Sequence, residues 1–187
     1  MAARREEIRV ERLGPERRAD FFRLHSSENG EGWCCCAAWW TETWEGWGDR
    51  SAEENRALRE SLFDRGEWDG YLLYVDGEPA AWCQAGPRDR LAKLVRQFEL
   101  APDRGAWAIT CFVVAPRFRR RGLARRLLLA VLDDLPARGA RCVEAFPRRE
   151  AAEPGELWTG PEALFLEAGF SSVREAGARR VLSRSLP

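Results

Sequence analysis

The feature that most constrains the fold is a long apolar stretch followed directly by a basic turn and an amphipathic segment. Residues 106–114 are almost all apolar, which predicts a central strand covered on both faces, and Pro116 ends it. From Arg120 to Leu135, leucine and valine recur every three or four positions, the pattern of a helix with one buried face. The segment therefore predicts a buried strand that leads through a tight turn into a long amphipathic helix.

The turn between this strand and this helix has the chemistry of an anion-binding site. The first N–H groups of a helix have no acceptor within the helix, and the helix dipole adds partial positive charge there. Gly122 and Ala124 carry little or no side chain, so a phosphate can approach the backbone closely, and neighbouring arginines can add charged hydrogen bonds. These properties favour a pyrophosphate ester as the ligand. The arginines of the segment are Arg117, Arg119, Arg120, Arg121, Arg125 and Arg126.

Two other interpretations of these arginines stay open. Lys93 is the only lysine among the 30 basic residues, so the turn could be a solvated face in an arginine-rich chain. It could also bind nucleic acid, and such binding would be salt-sensitive. However, Lys+Arg and Asp+Glu both number 30, so the chain lacks the global basic field that nucleic acid or an anionic membrane would attract. We therefore expect no nucleic-acid partner.

Length and composition exclude further classes of protein. The 187 residues suit one domain, and we expect a single domain over residues 1–187 with residues 1–5 as a loose tail. No apolar run approaches the roughly 18–20 residues of a membrane span, and the first residues lack an apolar signal core. Six cysteines are too few for a disulfide-dense scaffold. We therefore expect a cytoplasmic protein without a membrane partner.

The remaining sequence predicts alternating strands and helices. Further strands are predicted at residues 6–13, 71–75, 79–84, 141–146, 170–175 and 179–185. Asp76-Gly77 predicts a hairpin turn between the second and third of these. Further helices are predicted at residues 15–25, 51–65, 91–97 and 161–168. Ser51 and Glu54 have the spacing of a capping box, which marks the start of the second of these helices.

The spacing Arg119-x-x-Gly122-x-Ala124 resembles the acyl-CoA signature of the GNAT superfamily of N-acetyltransferases. As in that family, an apolar strand precedes the turn, and a later strand, helix and Gly169-Phe170 step follow it. The order of elements is similar over nearly the whole chain. The resemblance implies the GNAT fold, an α/β (α+β) architecture in which a mixed, mostly antiparallel central sheet of about seven strands is flanked by helices.

The resemblance also implies an activity. Members of the family transfer an acetyl group from acetyl-CoA, a co-substrate, to an amine by direct attack, so the expected partner is a small-molecule or peptide amine. The identity of that amine is not fixed by the sequence, because the same fold serves many acceptors. The alternative is a non-catalytic, acyl-CoA-binding or regulatory module. The oligomeric state stays open between a monomer and a homodimer.

In such an enzyme the strand and the turn would hold acetyl-CoA. Backbone groups of Phe112 and Val114 would bind the pantetheine arm, and the turn would wrap the pyrophosphate. Residues 110–114 and 142–146 would form strands that splay apart around the thioester. The predicted cofactor-binding residues are Phe112, Val113, Val114, Arg119, Arg120, Arg121, Gly122, Leu123, Ala124 and Arg125.

Candidate catalytic groups are few. Family members commonly have a tyrosine acid in the helix before the Gly-Phe step, but Phe165 occupies that position, and Tyr71 and Tyr74 lie in the hairpin. Glu144 interrupts an apolar strand where the cleft should open, so it is the candidate catalytic base, and burial would raise its pKa. Pairing with an arginine and exposure to solvent are the alternatives for this carboxylate. His25, the only histidine, is interpreted as a cap or surface group at a helix end.

A tryptophan-rich segment, residues 33–47, lies where the family shapes its acceptor pocket, and Trp158 lies near the predicted mouth of the cleft. Aromatic rings there would stack against an apolar or cationic amine, and packing in the core is the alternative. The predicted substrate-binding residues are Trp33, Trp40 and Trp158. If the segment is helical, Trp40, Trp44 and Trp47 share one face.

The cysteines do not predict a metal site. Cys34, Cys35 and Cys36 are consecutive, and neither a Cys-x-x-Cys pair nor a nearby second Cys/His pair accompanies them. We interpret Cys34, Cys36 and Cys83 as small buried hydrophobic residues.

Overall fold

Seven strands form one sheet in the order β1-β2-β3-β4-β5-β7-β6. The computed structural model describes residues 6–26, 32–148, 154–177 and 179–187, so the predicted tail lies outside the described residues. The strands are β1 (Ile8–Arg12), β2 (Tyr71–Val75), β3 (Glu78–Pro87), β4 (Ala106–Val114), β5 (Cys142–Ala145), β6 (Ser171–Ala176) and β7 (Arg179–Ser185). Among these strands β4 and β5 are parallel and the other neighbours are antiparallel, so the predicted mixed, mostly antiparallel sheet is confirmed.

Helices cover both faces of the sheet. Tyr71 pairs with Cys83, so their side chains share one face, and the Tyr71 hydroxyl donates to Asp134 at 2.8 Å. Trp82 points to the opposite face, where its ring centroid lies 4.9 Å from that of Phe21. The helices of the described residues are α1 (Arg18–Leu24), α2 (Ala52–Asp64), α3 (Ala92–Gln97), α4 (Leu123–Asp134) and α5 (Glu162–Glu167). Since Asp134 ends α4 and Phe21 belongs to α1, these two helices pack on opposite faces. No helix in these ranges has the length and apolar character to span a membrane.

The strongest predicted helix begins three residues later than expected. Arg120 and Gly122 have φ angles of +61° and +73°, in the left-handed region, which a right-handed helix cannot include. Helix α4 therefore begins at Leu123, with Gly122 as its N-cap. Its apolar face is buried against the sheet, as the spacing predicts, through Leu123, Leu127, Leu128, Val131 and Leu132.

The tryptophan-rich segment is not a single helix. Two short 3-10 turns, Ala38–Trp40 and Trp47–Asp49, are separated by a loop, and Gly46 has a left-handed φ of +65°. The rings of Trp44 and Trp47 contact each other edge to face with centroids 6.3 Å apart. The three tryptophans therefore share no helical face, because the condition of that prediction, a continuous helix, is not met.

Two other predicted boundaries differ. The helix predicted at residues 15–25 is divided into a 3-10 turn, Pro15–Arg17, and α1. The strand predicted at residues 79–84 is longer, because β3 continues to Pro87 and pairs there with the start of β4. Residues 27–31, which follow α1, lie outside the described residues.

Helix α2 begins with the predicted capping box. Ser51 Oγ accepts from the Glu54 N–H at 3.1 Å, and the Glu54 carboxylate accepts from the Ser51 N–H at 2.7 Å. We expect Ser51→Ala to lower the free energy of unfolding by about 1 kcal/mol, because an orphan N–H of the first turn loses its acceptor. Ser51→Asn retains an acceptor and should change stability by only a few tenths. Urea unfolding of both variants measures this, and equal losses would contradict it.

Candidate functional site

Strands β4 and β5 separate halfway along β4. Their last paired residues are Ile109 and Ala145, and β4 continues to Val114 without a β5 partner. A β-bulge lies at the point of separation, since Gln84 pairs with Cys111 whereas Ala85 pairs with Ile109, which leaves Thr110 as an extra residue. A bulge bends its strand and increases the twist. In the part of the chain that the structure describes, the second half of β4 therefore pairs with a strand on one side only and has one open edge, and Thr110 Oγ1 is buried there without a hydrogen-bond partner.

The basic turn follows directly from this open strand. The first main-chain hydrogen bond across the start of α4 is donated by the Arg126 N–H to the Gly122 carbonyl oxygen at 3.1 Å. Helix geometry thus leaves the N–H groups of Leu123, Ala124 and Arg125 without an intrahelical acceptor. The N-cap residue is Gly122, which has no side chain that could supply one. A Cβ atom built on Gly122 would meet no atom within 4 Å. The start of α4 is therefore open to a ligand.

The arginines of the turn are in three different situations. Arg120 and Arg125 are exposed and have no carboxylate partner among the residues that the structure describes. Arg119 Nε donates to the Val114 carbonyl oxygen at 2.9 Å, so it braces the strand against the turn. Arg121 forms an ion pair with Glu6 at 2.5 Å. Arg120 and Arg125 therefore contribute positive charge at the helix start that no carboxylate of the described residues neutralises, together with the helix dipole.

A large aromatic cavity lies against the same half of β4. It has a volume of about 660 Å³. Cys111 and Val113 of β4 line it. Phe112 is on the opposite face, and its ring lies 6.0 Å from that of Phe165 in α5. Four tryptophans also line the cavity, namely Trp33, Trp44, Trp47 and Trp158. Two of the predicted substrate-binding residues, Trp33 and Trp158, are thus brought together.

Trp40, the third predicted substrate-binding residue, does not line this cavity. Its ring lies 6.0 Å from the guanidinium of Arg59. Trp44 and Trp47 were missed as lining residues, although they belong to the same tryptophan-rich segment. Lys93 fixes their loop, because its Nζ donates to Thr41 Oγ1 and lies 3.6 Å from the Trp44 ring centroid. Burial lowers the pKa of Lys93 to about 8.

His25 is a buried helix cap that reaches the cavity. It ends α1, as predicted, but the prediction of a surface group is wrong, because only 3% of the residue is exposed. The ring stacks on Phe21, and Nδ1 lies 3.0 Å from the Phe21 carbonyl oxygen, which can only accept, so Nδ1 carries the proton. Nε2 is then an acceptor, buried without a partner, on a side chain that lines the cavity. Burial lowers the pKa of His25 to about 3.

Glu144 lies away from the aromatic cavity. It pairs with Ala108 of β4, before the strands separate, and its Oε1 accepts from Arg88 Nη1 at 3.0 Å. The side chains of this ion pair are 12% and 5% exposed, respectively. Glu144 lines a separate polar cavity with Arg88, Asp103 and Arg141. The structure thus brings Glu144 to an arginine, the alternative given above, and its role as a catalytic base stays a prediction.

No tyrosine hydroxyl is available near the open strand. Phe165 is fully buried against Phe112 and Phe170. Tyr71 donates to Asp134, and burial raises its pKa to about 12. Tyr74 donates to Asp20 at 2.8 Å, and burial likewise raises its pKa. Both hydroxyls are therefore engaged at β2.

The six thiols are free, and their burial varies. Cys36 and Cys83 are buried, as predicted, whereas Cys34 is half-buried. Three thiols line the aromatic cavity, namely Cys34, Cys36 and Cys111. In the described ranges, no group of three or more His, Cys, Asp or Glu side chains is arranged to hold a metal ion.

Comparison with known proteins agrees with this architecture. A sequence model of the Acetyltransferase (GNAT) family matches residues 33–154, more than half of the chain. No curated protein sequence matches the chain.

Several solved structures are similar along their whole length. PH1933 from Pyrococcus horikoshii is 17% identical with a TM-score of 0.58, and the match covers 97% of this chain and 99% of that one. The PaiA N-acetyltransferase from Thermoplasma acidophilum, in complex with coenzyme A, is 12% identical with a TM-score of 0.53, covering 96% and 99%. YncA from Salmonella typhimurium, with acetyl-CoA, is 15% identical with a TM-score of 0.56, covering 96% and 94%. At these identities the likeness is one of fold.

The buried histidine makes stability depend on pH. Because the pKa of His25 falls from about 6.5 in the unfolded chain to about 3 in the folded one, the unfolded chain alone binds this proton between those values. We expect this contribution to be complete above pH 6.5 and to be lost, by up to about 1.4 kcal/mol per pH unit, as the pH falls toward 3. His25→Phe keeps a ring against Phe21 but cannot titrate. Urea unfolding from pH 4 to 7 should give a shallower slope for the variant, and identical slopes would refute the assignment.

Proposed function

The chain belongs to the Acetyltransferase (GNAT) family, and on that premise we propose that it transfers an acetyl group from acetyl-CoA to an amine by direct attack. The observation that carries the proposal is the open second half of β4, which leads directly into a turn with unpaired helix N–H groups. An extended chain such as pantetheine can bind along an open strand edge, and a pyrophosphate can bind at a helix start. Along the chain the open strand comes directly before the turn. Along acetyl-CoA the pantetheine arm is likewise followed directly by the pyrophosphate, so the two orders agree.

The residues predicted for acetyl-CoA suit this role. Main-chain groups of Phe112 and Val114 would bind the pantetheine arm, with the side chain of Phe112 fixed against Phe165. N–H groups of Leu123 and Ala124 would bind the pyrophosphate. Exposed arginines at the turn, Arg120 and Arg125, would add charged hydrogen bonds. Bound there, the co-substrate would supply an acetyl thioester, which is already activated for attack.

The aromatic cavity would hold the acceptor. It shares Cys111 and Val113 with the open half of β4, so an amine bound in it lies beside the strand that would hold the thioester. Four tryptophans favour an aromatic or apolar body on this amine. No carboxylate lines the cavity among the described residues, so the cavity disfavours a charged ammonium and lowers the pKa of a bound amine.

His25 would orient the neutral amine. Its unpaired Nε2 can accept a hydrogen bond from an amine N–H, and this bond would leave the nitrogen lone pair free for attack. His25 is neutral at physiological pH, so it does not repel a basic substrate. The proton of the ammonium form would leave to solvent before the amine enters. Glu144 remains the predicted catalytic base, and a variant described below tests that role.

A non-catalytic acyl-CoA-binding module is a second candidate. Two observations favour it: Phe165 offers no acidic hydroxyl, and Glu144 is engaged by Arg88. Both candidates require acetyl-CoA binding, and they differ in turnover. Release of free CoA thiol with an arylalkylamine, such as phenylethylamine, or with another amine of a panel would support the transferase. Binding of acetyl-CoA without release of CoA thiol in the presence of any amine of the panel would support the module.

Substitution of the helix-cap glycine tests the acetyl-CoA site. We expect calorimetric titration to give micromolar binding of acetyl-CoA to the wild type and at least about tenfold weaker binding to Gly122→Glu, because the added carboxylate repels the pyrophosphate. Gly139→Glu is the matched control. Gly139 also has a left-handed φ, +83°, and also has no atom within 4 Å of an added Cβ, but it lies beyond the far end of α4.

The two glycine variants carry the same charge change and similar backbone strain. Binding that is retained in Gly139→Glu and lost in Gly122→Glu therefore locates the site at the turn. Equal losses in both variants, or no binding by the wild type, would refute the proposal.

The role of Glu144 has a separate test. We expect Glu144→Gln to lower the free energy of unfolding by about 1–3 kcal/mol, because the buried guanidinium of Arg88 loses a charged partner. A catalytic base predicts in addition a kcat at least about 100-fold lower, with acetyl-CoA binding unchanged. Asp89→Asn is the control, since Asp89 also pairs with Arg88, at 3.1 Å, but lies outside β5. Equal kcat in the two variants would exclude the base.

A further inference from the structure

The three consecutive cysteines adopt an unusual backbone. Cys35 and Cys36 have φ angles of +45° and +53°, two successive residues with side chains in the left-handed region. This conformation is unfavourable for residues other than glycine, and it is retained only where the surrounding structure imposes it. Here α2 imposes it, because Arg59 donates to the carbonyl oxygens of both residues, through Nε to Cys35 at 3.2 Å and through Nη2 to Cys36 at 2.5 Å.

Arg59 is itself a buried charge without a carboxylate. It is fully buried, and the neighbouring carboxylate of Glu60 on α2 pairs instead with Arg56. Its third hydrogen bond goes to Gln84 Oε1 at 3.1 Å, a neutral acceptor, and Nη1 has no partner. No Asp or Glu of the described ranges forms an ion pair with this guanidinium. A buried charge in this state is costly unless a counter-charge lies nearby.

The acidic group best placed to supply that counter-charge is the thiol of Cys36. Trp82 Nε1 donates a hydrogen bond to Cys36 Sγ at 3.3 Å, and Cys111 lines the same cavity as Cys36. In its neutral form the Cys36 thiol donates to Gln84 Oε1, 3.7 Å from the sulfur, and the same Oε1 also accepts from Arg59. Burial raises the pKa of Cys36, but Cys111, Arg59 and Trp82 together outweigh burial and lower it below that of a free thiol.

We propose that Cys36 is a reactive cysteine, held as a thiolate by Arg59 at the wall of the aromatic cavity, and that Cys111 is its partner in a disulfide formed on oxidation by a peroxide. Both thiols line the cavity, so a small electrophile can reach them from it. Thiolates, rather than thiols, react with electrophiles and peroxides.

The oxidation proceeds in two balanced steps. The Cys36 thiolate attacks one oxygen of hydrogen peroxide, the O–O bond breaks, and Cys36 sulfenic acid and hydroxide form. The Cys111 sulfur then attacks the Cys36 sulfur, a disulfide forms, and the sulfenic oxygen leaves as water with the Cys111 proton. The two sulfurs together lose two electrons and the peroxide gains them.

The disulfide would tie the cysteine segment to β4 across the cavity. A disulfide there would change the shape of the cavity and so the binding of an acceptor amine. This consequence rests on the proposed function, because the cavity is the acceptor site only under that proposal. The thiol chemistry itself does not depend on acetyl-CoA. Failure of one proposal can therefore be told from failure of the other, since thiol modification is measured by mass and acetyl-CoA binding by calorimetry.

Several titratable or charged groups near Cys36 affect how its reactivity depends on pH. Burial raises the pKa of Cys34, to about 11, with a further contribution from Cys36. The hydrogen bond to Cys36 raises the pKa of Cys111. The titratable or charged groups that face this region are His25 from α1, Arg59 from α2, Cys83 from β3, Lys93 from α3, Cys111 from β4, Arg179 from β7, Arg148 after β5, and Cys34 and Cys35 beside it.

Limited alkylation separates reactivity from exposure. Cys34 lines the same cavity and is more exposed than Cys36, so exposure alone predicts that Cys34 reacts first. We expect iodoacetamide at pH 7, with sites located by peptide fragmentation, to modify Cys36 at least about tenfold faster than Cys34, because only Cys36 has a substantial thiolate fraction. Preferential labelling of Cys34 would overturn the proposal.

Two variants of α2 test the role of Arg59. Arg59→Met should slow Cys36 alkylation at pH 7 by at least about tenfold, because the thiolate loses its counter-charge. Arg56→Met is the matched control, since it removes the same charge from the same helix, where Arg56 lies over the Phe22 ring and pairs with Glu60. Equal slowing in both would overturn the proposal. Should Arg59→Met fail to fold, the wild-type rate profile decides: a midpoint below the ordinary value of about 8.5 supports the proposal, and one at or above it refutes it.

Peroxide treatment tests the disulfide. We expect a peptide that links Cys36 to Cys111 in the wild type, and a dimedone adduct on Cys36 in Cys111→Ser, where no partner thiol resolves the sulfenic acid. Linkage only among Cys34, Cys35 and Cys36, linkage only between molecules, or no oxidation of Cys36 would each overturn the proposal.

Discussion

Thr110 is inserted into β4 opposite the boundary between Gln84 and Ala85, and the geometry of the candidate site depends on this one extra residue. Before it, β4 is paired on both sides; after it, one edge is open. The insertion also exchanges the faces of the residues that follow. Cys111 therefore lies at the aromatic cavity, while Phe112 packs against Phe165 of α5. A single bulge thus supplies both an open edge and the wall of a cavity beside it.

Much of the fold follows from local pattern. The apolar strand, the helix after it and the hairpin at Asp76-Gly77 form where the sequence predicts them, because each depends on burial of a periodic apolar face or on a turn of fixed geometry. The capping box at Ser51 is local in the same sense. The start of α4 is displaced because backbone angles at the turn, not the apolar pattern, decide where a helix can begin.

The site is less predictable, since it depends on contacts between distant segments. His25 reaches the cavity only because α1 packs on the face that carries Trp82, and nothing near His25 in the sequence indicates this. Glu144 meets Arg88 across 56 positions of sequence. Arg59 looks like one more arginine of an amphipathic helix, and its full burial against two left-handed cysteines becomes apparent only in three dimensions.

The scarcity of lysine has a consequence for the proposed transfer of an acetyl group to an amine. Lys93, the only lysine of the chain, is 3% exposed, and its ammonium group is held by Thr41 and lies against the Trp44 ring. The molecule therefore presents no lysine amine on its surface, where arginine provides the positive charge, and guanidinium groups are poor nucleophiles because they stay protonated. A population of such molecules, each carrying a loaded acetyl donor, would be inert toward the lysine side chains of its own copies.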